Sequence, residues 1–88
     1  MIDQEFYDSI SNAIVDLDED LTFTLADQAI VNNMNVLEVI EKGFGSGVRK
    51  LGQLWDEGEF FLPELMMGGE IVQNAIDKLL PHLESKDK

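Results

Sequence analysis

The side chains able to do chemistry are few. His82 is the only histidine and cysteine is absent, so this chain forms no disulfide and no thiolate metal site. One imidazole cannot supply a zinc site or the repeated Glu-x-x-His pairs of a diiron centre. With Glu84 nearby, His82 reads as a surface histidine well placed at a helix C-terminus. Ser9, Ser11, Ser46 and Ser85 have no base close in sequence. Gly43-Phe-Gly-Ser-Gly47 lies inside helical periodicity and follows no strand, so it is not a phosphate cradle. Asp16, Asp18, Asp20, Thr22 and Thr24 have the alternating oxygens of a calcium-binding EF-hand loop. Two positions argue against it: Leu21 stands where the sharp turn needs glycine, and Asp27 where the bidentate glutamate belongs. An acidic turn whose Asp20 or Thr22 caps the next helix is the simpler reading. No catalytic constellation emerges.

What remains is a binding chemistry without reactive groups. Residues 51–67 run Leu-Gly-Gln-Leu-Trp-Asp-Glu-Gly-Glu-Phe-Phe-Leu-Pro-Glu-Leu-Met-Met. A helix enters this stretch and ends at Gly58, and another leaves it with Pro63 and Glu64 in its first turn, the usual asymmetry of helix boundaries. Helix–helix connections are ordinarily polar, yet this one carries Trp55, Phe60, Phe61, Leu62 and Leu65. If the two helices are antiparallel neighbours, Trp55, Leu62 and Leu65 gather at one end of a bundle. An apolar end is a core plug or a docking surface.

The elements that must position this turn can be read from hydrophobic spacing. Ile2, Phe6, Ile10, Ala13, Ile14 and Leu17 recur at three and four residues and predict a helix over about 3–17, with Asp3, Glu5 and Asp8 in its first turns. A second helix carries Leu25, Ala26, Ala29 and Ile30 inward and ends near Asn33, where asparagine tolerates the left-handed cap and Asn35 can cap the next helix. A third begins at Val36 with the stripe Leu37, Ile40, Phe44, Val48, Leu51 and Trp55. Gly43, Gly45 and Gly47 interrupt it, each at a cost of about 1 kcal/mol against alanine, which predicts a kink, a break or a close neighbour at 43–47. The fourth covers about 63–81 with the seam Leu65, Gly69, Val72, Ile76, Leu79 and Leu83. Gly68-Gly69 in its second turn calls for something close to the backbone. Met34, Met66 and Met67 read as core or patch filler. The fold class is all-α, an antiparallel bundle of four to five helices.

Composition bounds the partners. Eighteen acidic residues against six basic give a net charge of −12, which repels nucleic acid and anionic lipid and keeps a small bundle in solution. No stretch approaches the roughly 20 apolar residues of a membrane span, and the acidic first residues do not read as a signal peptide, so a cytoplasmic location is expected.

The motif around the turn says more. Gly43-x-x-x-Gly47-Val48-x-x-Leu51-Gly52-x-Leu54-Trp55-x-x-Gly58-Glu59-x-Phe61-Leu62-Pro63-Glu64-Leu65, with the preceding Asn35-Val-Leu-Glu-Val-Ile-Glu-Lys42, resembles the signature of the cobalamin (B12)-binding cap module. That module is the N-terminal helical domain of the methionine synthase B12 region and of methyltransferase corrinoid proteins. The likeness covers most of the chain from about residue 20, and Gly-Glu-x-Phe-Leu-Pro-Glu is its most specific part. It implies a methionine synthase cap-domain-like bundle lying over the upper face of the corrin. Residues at the positions of Trp55, Leu62 and Leu65 would cover the ring, Phe61 and Met66 would support them, and Gly69 would allow close packing. Val48 stands where methionine is frequent and Trp55 where phenylalanine is also common.

On this resemblance residues 1–83 are the helical cap domain, and 84–88 a polar tail beginning a linker to a Rossmann-like cobalamin domain. That domain's Asp-x-His-x-x-Gly motif, which supplies the lower cobalt ligand, is not in this chain. His82 lies outside any such motif. The implied role is the non-catalytic cap of a corrinoid protein that carries methyl groups between methyltransferase partners, either cut from a longer chain or encoded alone. It would bind cobalamin fully only together with the Rossmann-like domain. The alternative is a stand-alone interaction module forming a homodimer through its apolar end.

Overall fold

The computed structural model describes residues 2–87, and side chains for residues 3–83. Helix α1 (Ile2–Val15) opens with Asp3 and Glu5 in its first turn, as the helix dipole favours. Helix α2 (Glu19–Val31) is next, then a short α3 (Val36–Glu38), a π-helical turn (Val39–Phe44) and α4 (Gly45–Asp56). The last helix, α5, spans Leu62–Asp87. The described residues contain no strand. No helix among them is long and apolar enough to cross a membrane.

The helix ends explain the connections. At the C-terminus of α1, Leu17 adopts a left-handed conformation (φ 57°), and the amides of Leu17 and Asp18 donate to the carbonyls of Ile14 and Ala13 at 3.0 and 2.9 Å. Asn33 (φ 58°) repeats the pattern after α2, its amide and that of Met34 reaching Ile30 and Ala29. These are paired reverse hydrogen bonds of the Schellman type, with asparagine in the expected role and leucine in an unexpected one. Asn35 accepts from the Glu38 amide at 3.0 Å and starts α3. The cap of α2 differs from expectation. It is Asp18, whose carboxylate accepts from the Leu21 amide at 3.1 Å, while Asp20 and Thr22 already lie inside the helix. Helix α2 therefore runs through the stretch that an EF-hand loop would occupy, and Asp27 is spent on an ion pair with Lys78 at 3.2 Å. No group of three or more histidines and carboxylates is arranged to hold a metal among the described residues.

Of the kink, break or close neighbour expected at 43–47, the break does not occur and the close neighbour does. Residues around Val39, Phe44 and Gly45 keep right-handed helical dihedrals, so 36–56 is one continuous helical run. Its irregularity is the π turn, in which the Gly45 amide reaches back five residues to Ile40. The glycines are there for a neighbour. A Cβ on Gly43 would lie 2.9 Å from Ile10 Cδ1, and one on Gly47 2.6 Å from Ile14 Cδ1. Two glycines four apart thus receive two isoleucines four apart, which brings α1 against the third helical run at close range.

Ile10, Ala13, Ile14, Leu25, Ala26, Ala29, Val39, Phe44, Leu51, Val72, Ala75 and Leu79 form the core. Tyr7, Ser11 and Thr22 are also buried, which spacing of apolar residues could not show. Lys78 extends from α5 over the Phe23 ring of α2 while it pairs with Asp27. Helix α5 continues past the predicted end near 81 and through Pro81. Leu79 and Leu83 pack on the core either side of that proline, so burial spans it.

Candidate functional site

The α4–α5 turn is fixed by its own backbone. Gly58 (φ 79°) takes the left-handed conformation that stops α4. Its amide donates to Trp55 at 3.1 Å and the Glu59 amide to Leu54 at 2.9 Å. Three residues on, α5 begins with one half of a capping box. The Glu64 carboxylate accepts from the Phe61 amide at 3.1 Å, and the Leu65 amide makes the first helical bond to the Phe61 carbonyl. Pro63 falls within the first turn, where its missing N–H leaves no helical bond unmade. With five residues between them, α4 and α5 are antiparallel neighbours. Trp55 and Leu62 therefore stand on the two sides of one turn.

This corner leaves its large apolar groups in solvent. Trp55 is 45% exposed, Leu62 56%, Phe61 67% and Met66 64%. Val48 and Met67 are also about half exposed. Of the large exposed apolar side chains, most fall between residues 48 and 67, on a surface otherwise dominated by carboxylates. The corner is thus an open surface and not a plug of the core. Leu65 differs: it is half-buried and packs on the core beside Phe60, so it ties the corner to the bundle.

Helix geometry separates the faces. Gly68, Val72, Ala75 and Leu79 point inward on α5. At roughly 100° per residue, Leu62, Leu65 and Gly69 lie on one flank of that line, Met67 on the other, and Pro63, Met66 and Glu70 outside. On α4 the inward line is Gly47 and Leu51, with Val48, Gly52 and Trp55 together on its flank. Val48, expected inside the stripe, is therefore solvent-facing, because a stripe drawn with steps of four drifts off the core line.

The glycine pair of α5 divides. A Cβ at Gly68 would sit 2.8 Å from Leu51 Cδ1 and 3.5 Å from Leu17, so the close neighbour there is this chain itself. Gly69 is open, with nothing within 4 Å of a Cβ, and it is exposed instead of lying in the inward seam. Gly52 is open in the same way; the motif marks the position, while spacing alone does not show that it is open.

Tyr7 and His82 stand apart from this corner. Tyr7 is buried in the α1–α3 contact, with its hydroxyl 3.4 Å from a Glu38 carboxylate oxygen. Burial first, and then the charges of Glu38 and Asp3, raise its pKa above the usual 10.0. His82 is exposed and lies 20 residues beyond Leu62 on the same helix. That is about 30 Å along the axis. It cannot share a site with Trp55.

The sequence profile of a family described as "B12 binding domain" matches residues 7–80. The chain is 34% identical over all 88 residues to monomethylamine corrinoid protein 1 of Methanosarcina barkeri, spanning 41% of that protein. It is 29% identical over 83 residues to trimethylamine corrinoid protein 1 of Methanosarcina acetivorans, covering 94% of this chain and 38% of that one. The solved structure of the Methanosarcina barkeri monomethylamine corrinoid protein superposes with a TM-score of 0.86 at 34% identity, over 92% of this chain and 38% of the other. The chain spans about two fifths of the length of the curated relatives it matches.

Proposed function

Since the chain belongs to the B12 binding domain family, we propose that it is the helical cap of a corrinoid protein that carries methyl groups for a methyltransferase system. In this reading it lies over the upper face of the corrin and is not an enzyme by itself. The observation that carries the reading is the exposed apolar corner at the α4–α5 turn, with Trp55, Leu62 and Leu65 set on rigid helix ends. The fit with a corrin is chemical. A flat macrocycle needs a broad apolar cover, and indole and alkyl side chains offer no lone pair to compete for its metal.

The corrin, when bound, supplies the cobalt centre that accepts and donates the methyl group. The residues of this chain have a different task, which is to exclude water and hold a surface in place. Trp55 and Leu62 give the cover its area. Leu65 anchors it, since it also packs on the core. Phe61 and Met66 border it, and Gly69, with no neighbour within 4 Å, leaves the α5 backbone open to close approach. The Gly58 turn and the Glu64–Phe61 cap fix the angle between the two helices, so the surface is formed before any ligand arrives. A Rossmann-like cobalamin domain would hold the rest of the cofactor in this account, and methyltransferases would be the protein partners.

Tryptophan fluorescence tests this directly, because Trp55 is the only indole. The chain is titrated with methylcobalamin alone and again with a separately supplied Rossmann-type corrinoid domain, with free tryptophan amide correcting for absorption by the corrin. Quenching only when the second domain is present is the expected result, since roughly half the burial of the cofactor is otherwise missing. No quenching in either case overturns the proposal. So does tight binding by the isolated chain, at micromolar or better. The rival reading, a homodimer through the same corner, predicts concentration-dependent sedimentation that is abolished by Trp55→Ala.

A further inference from the structure

The corner has a second face that the corrin reading leaves unused. Pro63, Met66, Met67 and Glu70 line an open groove on the outside of α5. Their spacing is i, i+3, i+4 and i+7, a straight stripe along two helical turns. Gly68 and Val72 face the core from the opposite side of α5, and Leu65 and Gly69 lie on the flank next to Trp55, so a ligand seated on that flank leaves the Met67 side in solvent. Only Met66 stands on the ridge common to both.

We propose that this stripe docks a helix of a partner protein, one with an apolar ridge bordered by lysine or arginine. Two observations choose that occupant. The first is shape: a stripe at helical spacing, two turns long and ending where Gln73, Asn74 and Asp77 take over, accepts the ridge of another helix. Adjacent methionines suit such a contact, since an unbranched thioether repacks around different side chains. The second is charge. Glu70 lines the groove and Asp77 lies further along the same line of α5, while the chain has no basic residue from 56 to 70. A second copy of this chain would bring Glu70 against an equally acidic face, whereas a basic-edged helix meets it with opposite charge.

The inference is independent of the corrin reading, and its test has a separate reporter. Methyl-labelled methionine gives four signals, from Met1, Met34, Met66 and Met67, assigned by substitution. The chain is titrated with a leucine–lysine amphipathic peptide, with its leucine–glutamate counterpart, and with a lysine–alanine peptide that keeps the charge but lacks the apolar ridge. The expected result is a saturable shift of Met66 and Met67 with the first peptide only, Met34 unmoved, and at least tenfold weaker binding by Met67→Lys and by Glu70→Lys. Met67→Lys keeps its Trp55 response to methylcobalamin plus corrinoid domain, which separates the two faces. An equal response to the lysine–alanine peptide, no shift at all, or a concentration-dependent shift without peptide overturns the proposal, the last by making a second copy the occupant.

Discussion

The α1 crossing and the α4–α5 corner are built from the same ingredients, glycines and large apolar side chains, put to opposite uses. At the crossing, Gly43 and Gly47 face Ile10 and Ile14, and nothing is left over: the isoleucines are fully buried and the glycine surface is covered. At the corner, Gly52 and Gly69 have no neighbour, and Trp55, Leu62 and Met66 stay in water. A glycine inside a helix costs stability wherever it stands. At the crossing the fold itself recovers that cost by close packing. At the corner no group of this chain does. That difference separates glycines that the bundle's own packing requires from glycines that it does not.

Substitutions can break or sharpen the contrast. The largest effect is expected from Phe44→Ala, which empties a fully buried aromatic site next to the crossing and destabilises by about 3–5 kcal/mol in urea unfolding. An unchanged midpoint would show that Phe44 is not part of the core. Next comes Gly47→Ala. Its methyl would meet Ile14, which is fully buried and whose Cβ as well as its Cδ1 lies close. Overpacking costs about 1–3 kcal/mol and the gain in helix propensity returns only about 1, so a net loss is expected. Gly52→Ala and Gly69→Ala meet nothing and should stabilise by about 1 kcal/mol each. If all three glycine variants shift unfolding in the same direction, the contrast between the regions is lost.

Leu62→Ala probes the corner from the other side. Its side chain is mostly in solvent, so stability should change by no more than about 0.5 kcal/mol. Quenching of Trp55 by methylcobalamin with the corrinoid domain should require roughly tenfold more ligand. A stability loss as large as that of Phe44→Ala would place Leu62 in the core. The smallest effect concerns Tyr7. Its pKa is raised on folding, so the unfolded chain gives up the phenolic proton first as pH rises. The folded state therefore keeps its full stability below pH 10.0 and loses part of it as pH climbs through the folded value. Tyr7→Phe should remove that alkaline decline, and phenolate absorbance of the single tyrosine reads the titration directly.

Much of the architecture is legible in the sequence. The helix ends are written in Gly58, Asn33 and Asn35, whose backbone preferences are local, and the apolar corner in an unusual turn. The losses have a common cause, which is contacts between residues distant in sequence. Gly43 and Gly47 look like a flaw in a helix because Ile10 and Ile14, more than thirty positions earlier, cannot be paired with them from spacing alone. Gly68 and Gly69 look equivalent, and only the position of Leu51 tells them apart. Leu17 in a left-handed turn is unreadable, because a bulky residue adopts that strain only where packing holds it; its side chain lies beside Gly68. The candidate face comes from a motif and a turn. Val48 and Gly52 stand in that motif, but only the rotation of α4 sets them beside Trp55 and away from the core.

The π turn at Val39–Phe44 has a consequence for lineage as well as for shape. Such a turn takes up one residue more than an α-helix would over the same rise, so it absorbs an insertion without rotating the helix beyond it. Before it and at its start, Val36 and Val39 are set against the core; at its end and beyond, Phe44 and Leu51 are too, although a single unbroken 3.6-residue count does not carry one set onto the other. Chain length can therefore vary by one residue inside 39–44 while Trp55 keeps its aim. The same change between Val48 and Leu54 would swing the indole by about 100°. Related chains that differ in length within this run should place their gap at the π turn, and one that places it nearer Trp55 should have rebuilt its corner.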